Sequence, residues 1–509
     1  MRGGRTRADA GAASRTDQVI GALALIVILA CGALIVLVAA DRPSFLAATT
    51  IQHFFPRWMA GPLGGLWPSL TRGTEALKYI FTVAIVAMYA SYLAGLRYVP
   101  RLRARWAIAA VVAAHAIFFL SPPLSLTDFF NYVNYGRMEV VHHLNSYTTI
   151  PVLEPHSDPS FALSNWHQLL SPYGPLFTLL TFAVVPLGVA ASFWTLKGLL
   201  MLASLGTVLL VWKCARLLGR DPVQAIVLVG LNPIVLVWGL GGDHNDFLMM
   251  FFVVLGFYLL LRARALPGAT AAVAPATELT TGLTTALTTG RAALATALTT
   301  ERAALIGAGA AFVTAVAIKA SAGILLPVVL VGLLWSRRRV AHIVLGMAMA
   351  GLVLGACSVL AFGPHIPDLG TQGRLVTNVS LPNLLGLALG QGGETNTLRV
   401  VLGGALVLSV LACCGLAWRR RESLTAAGWA SVALLVTLSW VLPWYVLWVL
   451  PLAALSSSRR LRTTTLLLGV YFIVAWAPIT GTVFNAIGFH PEKTSLGRLH
   501  QRYVKELLY

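Results

Sequence analysis

Charged residues are scarce in this chain: only 11% of its 509 residues are Asp, Glu, Lys or Arg, and only 18 are acidic. Soluble globular proteins carry about 25% charged residues, so the deficit excludes a soluble enzyme, a disordered chain and a coiled coil. Hydrophobic residues make up 57% of the sequence, and the mean hydropathy is +0.78. The composition therefore indicates an all-α polytopic membrane protein, read most simply as one membrane domain.

Cysteine is also sparse. The five cysteines lie in or beside apolar runs and none forms a CxxC pair, so the sequence predicts neither a disulfide framework nor a zinc site. A GxxxxGK[ST] phosphate-binding loop and an HExxH zinc motif are both missing. Because no ATP-binding motif is present, the energy for any reaction must come from an activated substrate or an ion gradient.

Apolar runs long enough to approach the roughly 20 residues of a membrane span recur about thirteen times. The first run exceeds the roughly 7–15 residues of a signal-peptide core, so we expect it to remain as a span. The runs lie at about 18–40, 76–95, 106–121, 191–213, 222–240, 246–262, 304–318, 321–335, 340–362, 399–418, 424–441, 444–457 and 462–480.

Most of the 37 lysines and arginines fall on one side of these runs if the N-terminus is cytoplasmic. Basic loops stay inside, so this asymmetry predicts the orientation and explains the net charge of +19 without invoking nucleic acid. The helix count and the charge rule disagree for the C-terminal tail. The helix count places the tail outside, whereas its four basic residues favour the inside. The predicted outer segments are about 41–75, 122–190, 241–245, 363–398 and the tail from about 481.

We divide the chain into N-terminal transmembrane helices (1–105), a membrane core (106–480) and a C-terminal tail (481–509). Within the outer loop 122–190, the apolar stretch 173–188 is short and has proline near both ends, which indicates an outer-surface or re-entrant helix rather than a span. Residues 265–303 contain a crude LTT repeat and form a predicted cytoplasmic low-complexity insert. Disorder is the favoured interpretation of this insert, and a surface helix is the alternative.

Asp128 follows an apolar run at the start of a long outer segment, among aromatic residues. A carboxylate at the boundary of the membrane is placed to act on an amphiphile, and burial there would raise its pKa towards that of a general base. The alternative is a helix N-cap at Thr127 or Asp128, with the aromatic residues forming an ordinary interfacial belt. The neighbouring candidates for substrate binding are Tyr132, Tyr135 and Arg137.

A second polar cluster occupies the short turn 241–245 and the residue after it. His244, Asn245 and Asp246 follow a glycine-rich stretch that permits a tight turn, and are candidates for substrate binding. A divalent metal could use a histidine and two acids, but adjacent residues on a turn rarely converge on one ion, so we assign no metal ligands. A solvated hairpin in which Asn245 or Asp246 caps the next helix is the alternative.

Lys319 is the only charge in its stretch, near the predicted outer end of a helix. A lysine in this position can bind a lipid phosphate as a point charge, and Arg374 and Arg399 on the third outer segment are similar candidates. Snorkelling to the interface is the alternative for Lys319.

Seven stretches, in order along most of the chain, resemble the actinobacterial polyprenol-phosphomannose-dependent α-1,6-mannosyltransferases of the GT-C class. The chain departs from that pattern at Asp243, where a small residue is expected, at Ser146, where proline is expected, and in its long insert. The stretches are TDFFNYVNYGRM (127–138), LNSYTT (144–149), SPYGPLF (171–177), GGDHNDFLM (241–249), IKASAGILLP (318–327), SLPNLLG (380–386) and PWYVLWVLPLAAL (443–455).

The resemblance implies a GT-C-like bundle in the plasma membrane with short outer juxtamembrane helices and an active site on the outer face. It implies transfer of a sugar, expected to be mannose, from a polyprenyl-phosphate donor to a lipid-linked glycan or glycolipid acceptor. Asp128 would be the general base of an inverting reaction. Lys319, Arg374 or Arg399 would stabilise the phosphate, and the SPYGPLF stretch adds Tyr173 to the substrate-binding candidates.

A transporter or flippase for lipid-linked sugars is the alternative from another class. Such proteins tend to have internal repeats and broken helices at the membrane midplane. We find no convincing repeat here, and the acids lie at the predicted outer edge rather than the bilayer centre. A third hypothesis is that the protein is an inactive structural partner of an envelope complex. The intact Asp128 argues against this hypothesis.

Overall fold

The structure is a computed structural model, and it describes residues 14–41, 56–66, 74–124, 128–265 and 282–508. Within these ranges the regular structure is entirely helical, as predicted, and no strand occurs. The first eight α-helices are Arg15–Asp41 (α1), Arg57–Ala60 (α2), Thr74–Tyr98 (α3), Ala104–Phe119 (α4), Asp128–Val140 (α5), Pro175–Val184 (α6), Val189–Leu217 (α7) and Pro222–Gly230 (α8).

Twelve further α-helices complete the described ranges. They are Asp246–Ala265 (α9), Gly282–Ile318 (α10), Leu325–Val331 (α11), Arg337–Phe362 (α12), Leu369–Gln372 (α13), Leu381–Ala388 (α14), Asn396–Arg420 (α15), Ser423–Thr437 (α16), Leu450–Leu455 (α17), Arg459–Trp476 (α18), Thr480–Ala486 (α19) and Ser495–Leu508 (α20).

Seven of the described helices are long and apolar enough to cross a membrane, or eight if α18 and α19, bent by 70°, form one broken span. This confirms a polytopic membrane protein but not the predicted count of about thirteen. Several predicted spans are short or broken helices. The run 222–240, for example, divides into α8 and a π-helical segment, Val235–Leu240.

The centre of the bundle is built from the segments with the fewest exposed residues. The π-helical segment, the start of α9, the 3₁₀ helix Pro443–Trp448 and α17 are almost wholly buried. Surface helices such as α12 and α15 leave most side chains exposed, as expected for helices that face lipid. The polar turn 241–245 is therefore enclosed by protein rather than lying on a solvated hairpin.

The short helix α6 packs against α5 and α10. Gly174, immediately before α6, donates its backbone N–H to the carbonyl of Ile318 at 3.1 Å. A Cβ atom at Gly174 would lie 2.2 Å from the carbonyl oxygen of Ala317, so only glycine allows this approach. The contact brings the outer loop against the end of α10, beside Lys319.

The insert is only partly described, since residues 266–281 lie outside the described ranges. From Gly282 the chain is helical and continues without a break into the apolar part of α10. The disordered interpretation is therefore wrong for 282–303, where the helical alternative holds.

The tail packs against the same loops that carry the predicted site. Leu507 accepts a hydrogen bond from the backbone N–H of Gln168 at 3.0 Å, and the Tyr503 hydroxyl donates to the carbonyl of Thr371 at 3.1 Å. The tail therefore lies on the side of the bundle that carries the segments 122–190 and 363–398.

Candidate functional site

Asp128 is the first residue of α5 and lies at the wall of a cavity. Its Oδ1 accepts a hydrogen bond from Trp166 Nε1 at 3.2 Å, and its side chain is 16% exposed. Burial raises the pKa of Asp128 to about 6, although the Trp166 hydrogen bond and the charge of Lys319 act in the opposite direction. Thr127, the other residue considered as an N-cap, lies outside the described residues.

The turn before α9 is held by an ion pair. Asp243 adopts a left-handed backbone conformation with a φ of 57°, which Asp tolerates better than most residues. Its Oδ2 lies 3.2 Å from Nζ of Lys197, which also donates to the carbonyl of Ser121 at 2.7 Å. Burial raises the pKa of Asp243 to about 7 despite the pull of the lysine. The pair fixes the backbone from which the next three side chains project.

Asp246 and Lys319 meet at the start of α9. Nζ of Lys319 lies 2.9 Å from both carboxylate oxygens of Asp246. Trp448 donates its indole N–H to Asp246 at 2.5 Å. The Lys319 ammonium also lies 5.0 Å from the ring centroid of Tyr445, within cation–π range. With 20% of its side chain exposed, Lys319 is anchored on one side and open to the cavity on the other.

His244 lies flat against Trp444. The ring centroids are 3.5 Å apart and the planes differ by 9°. Burial and the charge of Lys319 hold the pKa of His244 well below its usual range, so the imidazole is neutral at pH 7. Its Nδ1 is 3.8 Å from Oδ2 of Asp128, beyond hydrogen-bond distance. Next to it, Asn245 is fully buried, and no side-chain hydrogen bond partner is described for its amide.

The tyrosine candidates separate into two groups. Tyr132 and Tyr173 pack edge to face with centroids 4.6 Å apart, and both line the cavity. Tyr135 is buried behind them and donates its hydroxyl to the carbonyl of Leu169 at 2.6 Å. It does not line the cavity, so its observed contact supports the loop rather than a ligand.

Arg137 also turns away from the cavity. Its guanidinium makes a two-pronged contact with Asp158, with Nε and Nη2 each 2.9 Å from a carboxylate oxygen. His142 adds a third contact to the same carboxylate at 2.8 Å. These bonds hold the pKa of Asp158 below its usual range, and they join α5 to the middle of the outer loop.

The arginine candidates on the third outer segment differ from each other. Arg399 lines the cavity, with its Nε 3.0 Å from the buried Glu394, which also accepts a hydrogen bond from Ser439 at 2.7 Å. Arg374 is exposed and is not among the residues lining the cavity. The structure therefore brings Lys319 and Arg399 to the cavity, but not Arg374.

The cavity has a volume of about 460 Å³ and a mixed charged and apolar lining. Asp128, Lys319 and Arg399 contribute the charged groups. The apolar residues include Leu406 of α15, Leu434 of α16 and Leu438, which directly follows α16. This mixed lining suits an amphiphile with a charged head and a hydrocarbon chain.

Several cavity or support residues were not among the sequence candidates: Lys197, Trp166, Trp444, Tyr445, Trp448 and Glu394. A sequence signal exists for Lys197, because a lysine inside an apolar run marks a buried partner or a functional group. The stretch 443–455 marks the three aromatic residues of the 3₁₀ helix, but not their role. Nothing in the sequence singles out Trp166.

A metal-binding arrangement is not evident in the part of the chain that the structure describes. No group of three or more His, Cys, Asp or Glu side chains there is arranged to hold an ion. His244 stacks on Trp444 and Asp246 is bonded to Lys319, so the adjacent residues of this turn have separate partners.

The fold and the cavity together define a polytopic membrane protein with a buried acid–lysine site. Residues 26–337 match the family model described as α-(1→6)-mannopyranosyltransferase, N-terminal domain, and residues 377–491 match that described as MptB C-terminal domain. The chain belongs to this α-(1→6)-mannopyranosyltransferase family, and the mannosyltransferase class predicted from the sequence is confirmed.

Two of the similar curated proteins come from Mycobacterium tuberculosis. The chain is 27% identical over 392 residues to α-(1→6)-mannopyranosyltransferase A, covering 70% of this chain and 67% of that protein. It is 26% identical over 408 residues to a second α-(1→6)-mannopyranosyltransferase, covering 69% and 66%. The alignments thus span about two thirds of each relative. No solved structure matches the chain.

Proposed function

We propose that the protein transfers mannose from a polyprenyl-phosphate donor to a lipid-linked glycan or glycolipid acceptor at the outer face of the plasma membrane. The observation that carries this proposal is the mixed lining of one cavity, in which Asp128 and Lys319 occur together with apolar residues of α15 and α16. The family relationship supports mannose as the sugar.

Asp128 is the general base in this proposal. A carboxylate with a pKa of about 6 is ionised at pH 7 and is a stronger base than an ordinary aspartate. It accepts the proton of an acceptor hydroxyl while that oxygen forms a bond to the anomeric carbon. The bond between that carbon and the phosphate oxygen breaks, and its electron pair leaves with the polyprenyl phosphate. Attack opposite the leaving group inverts the anomeric centre, so a β-linked donor gives an α-linked product.

Lys319 stabilises the leaving phosphate. Its ammonium is held against Asp246 at 2.9 Å and is partly open to the cavity, so it is positioned before the donor arrives. A fixed cation facing the oxygen on which charge develops lowers the barrier without reorganisation. Arg399 offers a second cation along the same wall, and Glu394 restricts its position.

The apolar part of the cavity lining supplies the route for the lipid. The isoprenoid chain lies against the α15–α16 surface and enters laterally from the bilayer, while the sugar phosphate points to Asp128. Holding both amphiphiles at one boundary lowers the entropic cost of bringing them together. The predicted orientation, with a cytoplasmic N-terminus, assigns this boundary to the outer leaflet.

A transfer assay with purified full-length protein tests the proposal. Polyprenyl-phosphate mannose carrying a labelled sugar is expected to label a membrane glycolipid acceptor, with an α-linkage shown by NMR of the product. A nucleotide-linked mannose serves as the control donor and is expected to give no product. Transfer from the nucleotide donor alone, or retention of the β-configuration, would contradict the proposal.

A further inference from the structure

A second groove lies beside the catalytic cavity, between the C-terminal helix α20 and the segment 376–379. Its volume is about 540 Å³, within the roughly 300–1,000 Å³ range of small-molecule sites. We call it the tail groove. Its lining residues are Val376, Thr377, Asn378, Val379, Trp440, Ala475, Trp476, Gln501, Val504, Lys505 and Leu508.

The chemistry of the tail groove suits a neutral sugar chain. Trp440 and Trp476 provide two aromatic surfaces, which can contact the C–H faces of a pyranose ring. Asn378 and Gln501 bring side-chain amides, which can both donate and accept hydrogen bonds with sugar hydroxyls. Lys505 is the single charged residue among those lining the groove, so the lining does not resemble a site for a phosphate or another strongly charged ligand.

Two tryptophans separate the tail groove from the catalytic carboxylate. Trp440 lines both the groove and the cavity. It packs edge to face against Trp166, with ring centroids 6.1 Å apart, and Trp166 donates its indole N–H to Asp128. A chain lying in the groove would therefore reach the cavity by passing Trp440.

Helix α20 forms one wall of the groove and is anchored to the catalytic loop. Leu507 and Tyr503 pack in a small apolar cluster with Trp166 and Leu169. The opposite side of the helix is exposed and polar. The family match ends at residue 491, so this helix lies beyond the region whose function the family relationship supports.

We propose that the tail groove binds the neutral glycan part of the acceptor, two or more hexoses long, and directs its terminal hydroxyl past Trp440 to Asp128. This inference rests on the proposed function and adds the position and the chemical class of the acceptor. It predicts that the groove distinguishes acceptors by length, because only a chain of several sugars can occupy both the groove and the cavity.

The test uses the full-length protein with Trp476→Ala and, separately, Gln501→Ala, each assayed with a monomannosylated and a tetramannosylated glycolipid acceptor. We expect the KM for the longer acceptor to rise about tenfold, which corresponds to about 1.4 kcal/mol of binding energy. The KM for the donor and for the short acceptor should stay unchanged. Trp418→Ala, an exposed tryptophan at the far end of α15, is the matched control.

Equal effects on both acceptors would overturn the proposal, because they would assign Trp476 and Gln501 a structural role only. An unchanged KM for the longer acceptor in both variants would also overturn it. Equilibrium binding of a soluble α-(1→6)-linked mannotetraose gives a readout that needs no turnover. Loss of this binding in Trp476→Ala supports the groove even if the donor chemistry proposed above fails, whereas undiminished binding in both variants contradicts it.

Discussion

Lys197 and Asp243 form an ion pair with no exposed surface on either side chain: Nζ and Oδ2 are 3.2 Å apart. The two residues come from α7 and from the turn before α9. In the family that the sequence resembles, a small residue is expected at position 243. This chain instead has a buried charge there, together with a buried partner of opposite charge. The pair lies directly behind His244, Asn245 and Asp246, and therefore supports the site without lining the cavity.

Replacing Lys197 with Met should destabilise the protein, because Asp243 would lose the partner of its buried charge. Removal of one member of a buried pair lowers the free energy of unfolding by about 3–5 kcal/mol. Because protonation of Asp243 removes its unpaired charge, we expect a loss of stability near the lower limit. The double variant Lys197→Met with Asp243→Asn should recover most of the stability, since Asn also tolerates the left-handed conformation. Thermal unfolding in detergent measures both. A double variant no more stable than Lys197→Met would show that the pair is not the cause.

The reaction should lose activity in acid with an apparent pKa near 6. Burial raises the pKa of Asp128 to about 6, and the ionised form accepts the proton, so kcat/KM should rise as the pH increases through that value and then level off. An acid limb near 4, the ordinary value of an aspartate, would contradict a buried base. The pH dependence of kcat/KM, measured with a saturating acceptor, decides between the two values.

Trp166→Phe should move that acid limb to a higher pH. The indole N–H bonds to the ionised carboxylate at 3.2 Å and lowers its pKa against the effect of burial. Phenylalanine keeps an aromatic ring but cannot donate this bond. The pH–rate profile of the variant is the measurement. A profile identical to that of the wild type would show that the hydrogen bond does not tune the carboxylate, whatever the change in maximal rate.

Lys319→Met should reduce kcat by about 100-fold or more, as the loss of a preorganised charge-stabilising group does elsewhere. The change leaves Asp246 with only its Trp448 bond, so folding must be checked by thermal unfolding. Lys319→Arg keeps the charge and should retain part of the activity. If the methionine variant folds and turns over like the wild type, Lys319 has no role at the leaving phosphate.

The variant Arg137→Gln tests whether Arg137 binds the substrate or supports the structure of the outer loop. Since the guanidinium is bonded to Asp158, its loss should lower the stability of the outer loop by about 1–3 kcal/mol. The KM for the donor should change little. Thermal unfolding and donor kinetics on the same preparations test this. A large rise in donor KM without a change in stability would instead support the substrate-binding role predicted from the sequence.

The sequence was most informative at charges beside or within apolar stretches. Asp128 follows one such stretch and Lys319 interrupts another, and both line the cavity. The pattern of apolar runs likewise predicts an all-α membrane protein. It does not predict how many runs cross the bilayer, because short helices such as α8 and α17 are buried by their neighbours rather than by lipid.

Partners that are distant in the chain could not be predicted. Trp448 bonds to Asp246 across 202 positions, and Trp166 becomes a partner of Asp128 only because α5 folds against the outer loop. The contacts of Arg137 and Arg374 could not be predicted either. Arg137 is bonded to Asp158 and Arg374 lies outside the cavity, and their binding roles remain predictions. The local sequence pattern shows where the charged residues lie along the chain. The packing of distant segments determines which partner each charge contacts.

The central claim is that Asp128 acts as the base in the cavity that it lines. Single-turnover transfer of labelled mannose by the wild type, Asp128→Asn and Asp17→Asn tests it most directly. Asp17 pairs with Arg101 at 3.4 Å in a partly exposed position, so it serves as the matched carboxylate. We predict that Asp128→Asn loses at least about 1,000-fold in rate while folding normally, and that Asp17→Asn is unaffected. Transfer by a folded Asp128→Asn variant at a rate close to that of the wild type would contradict the account.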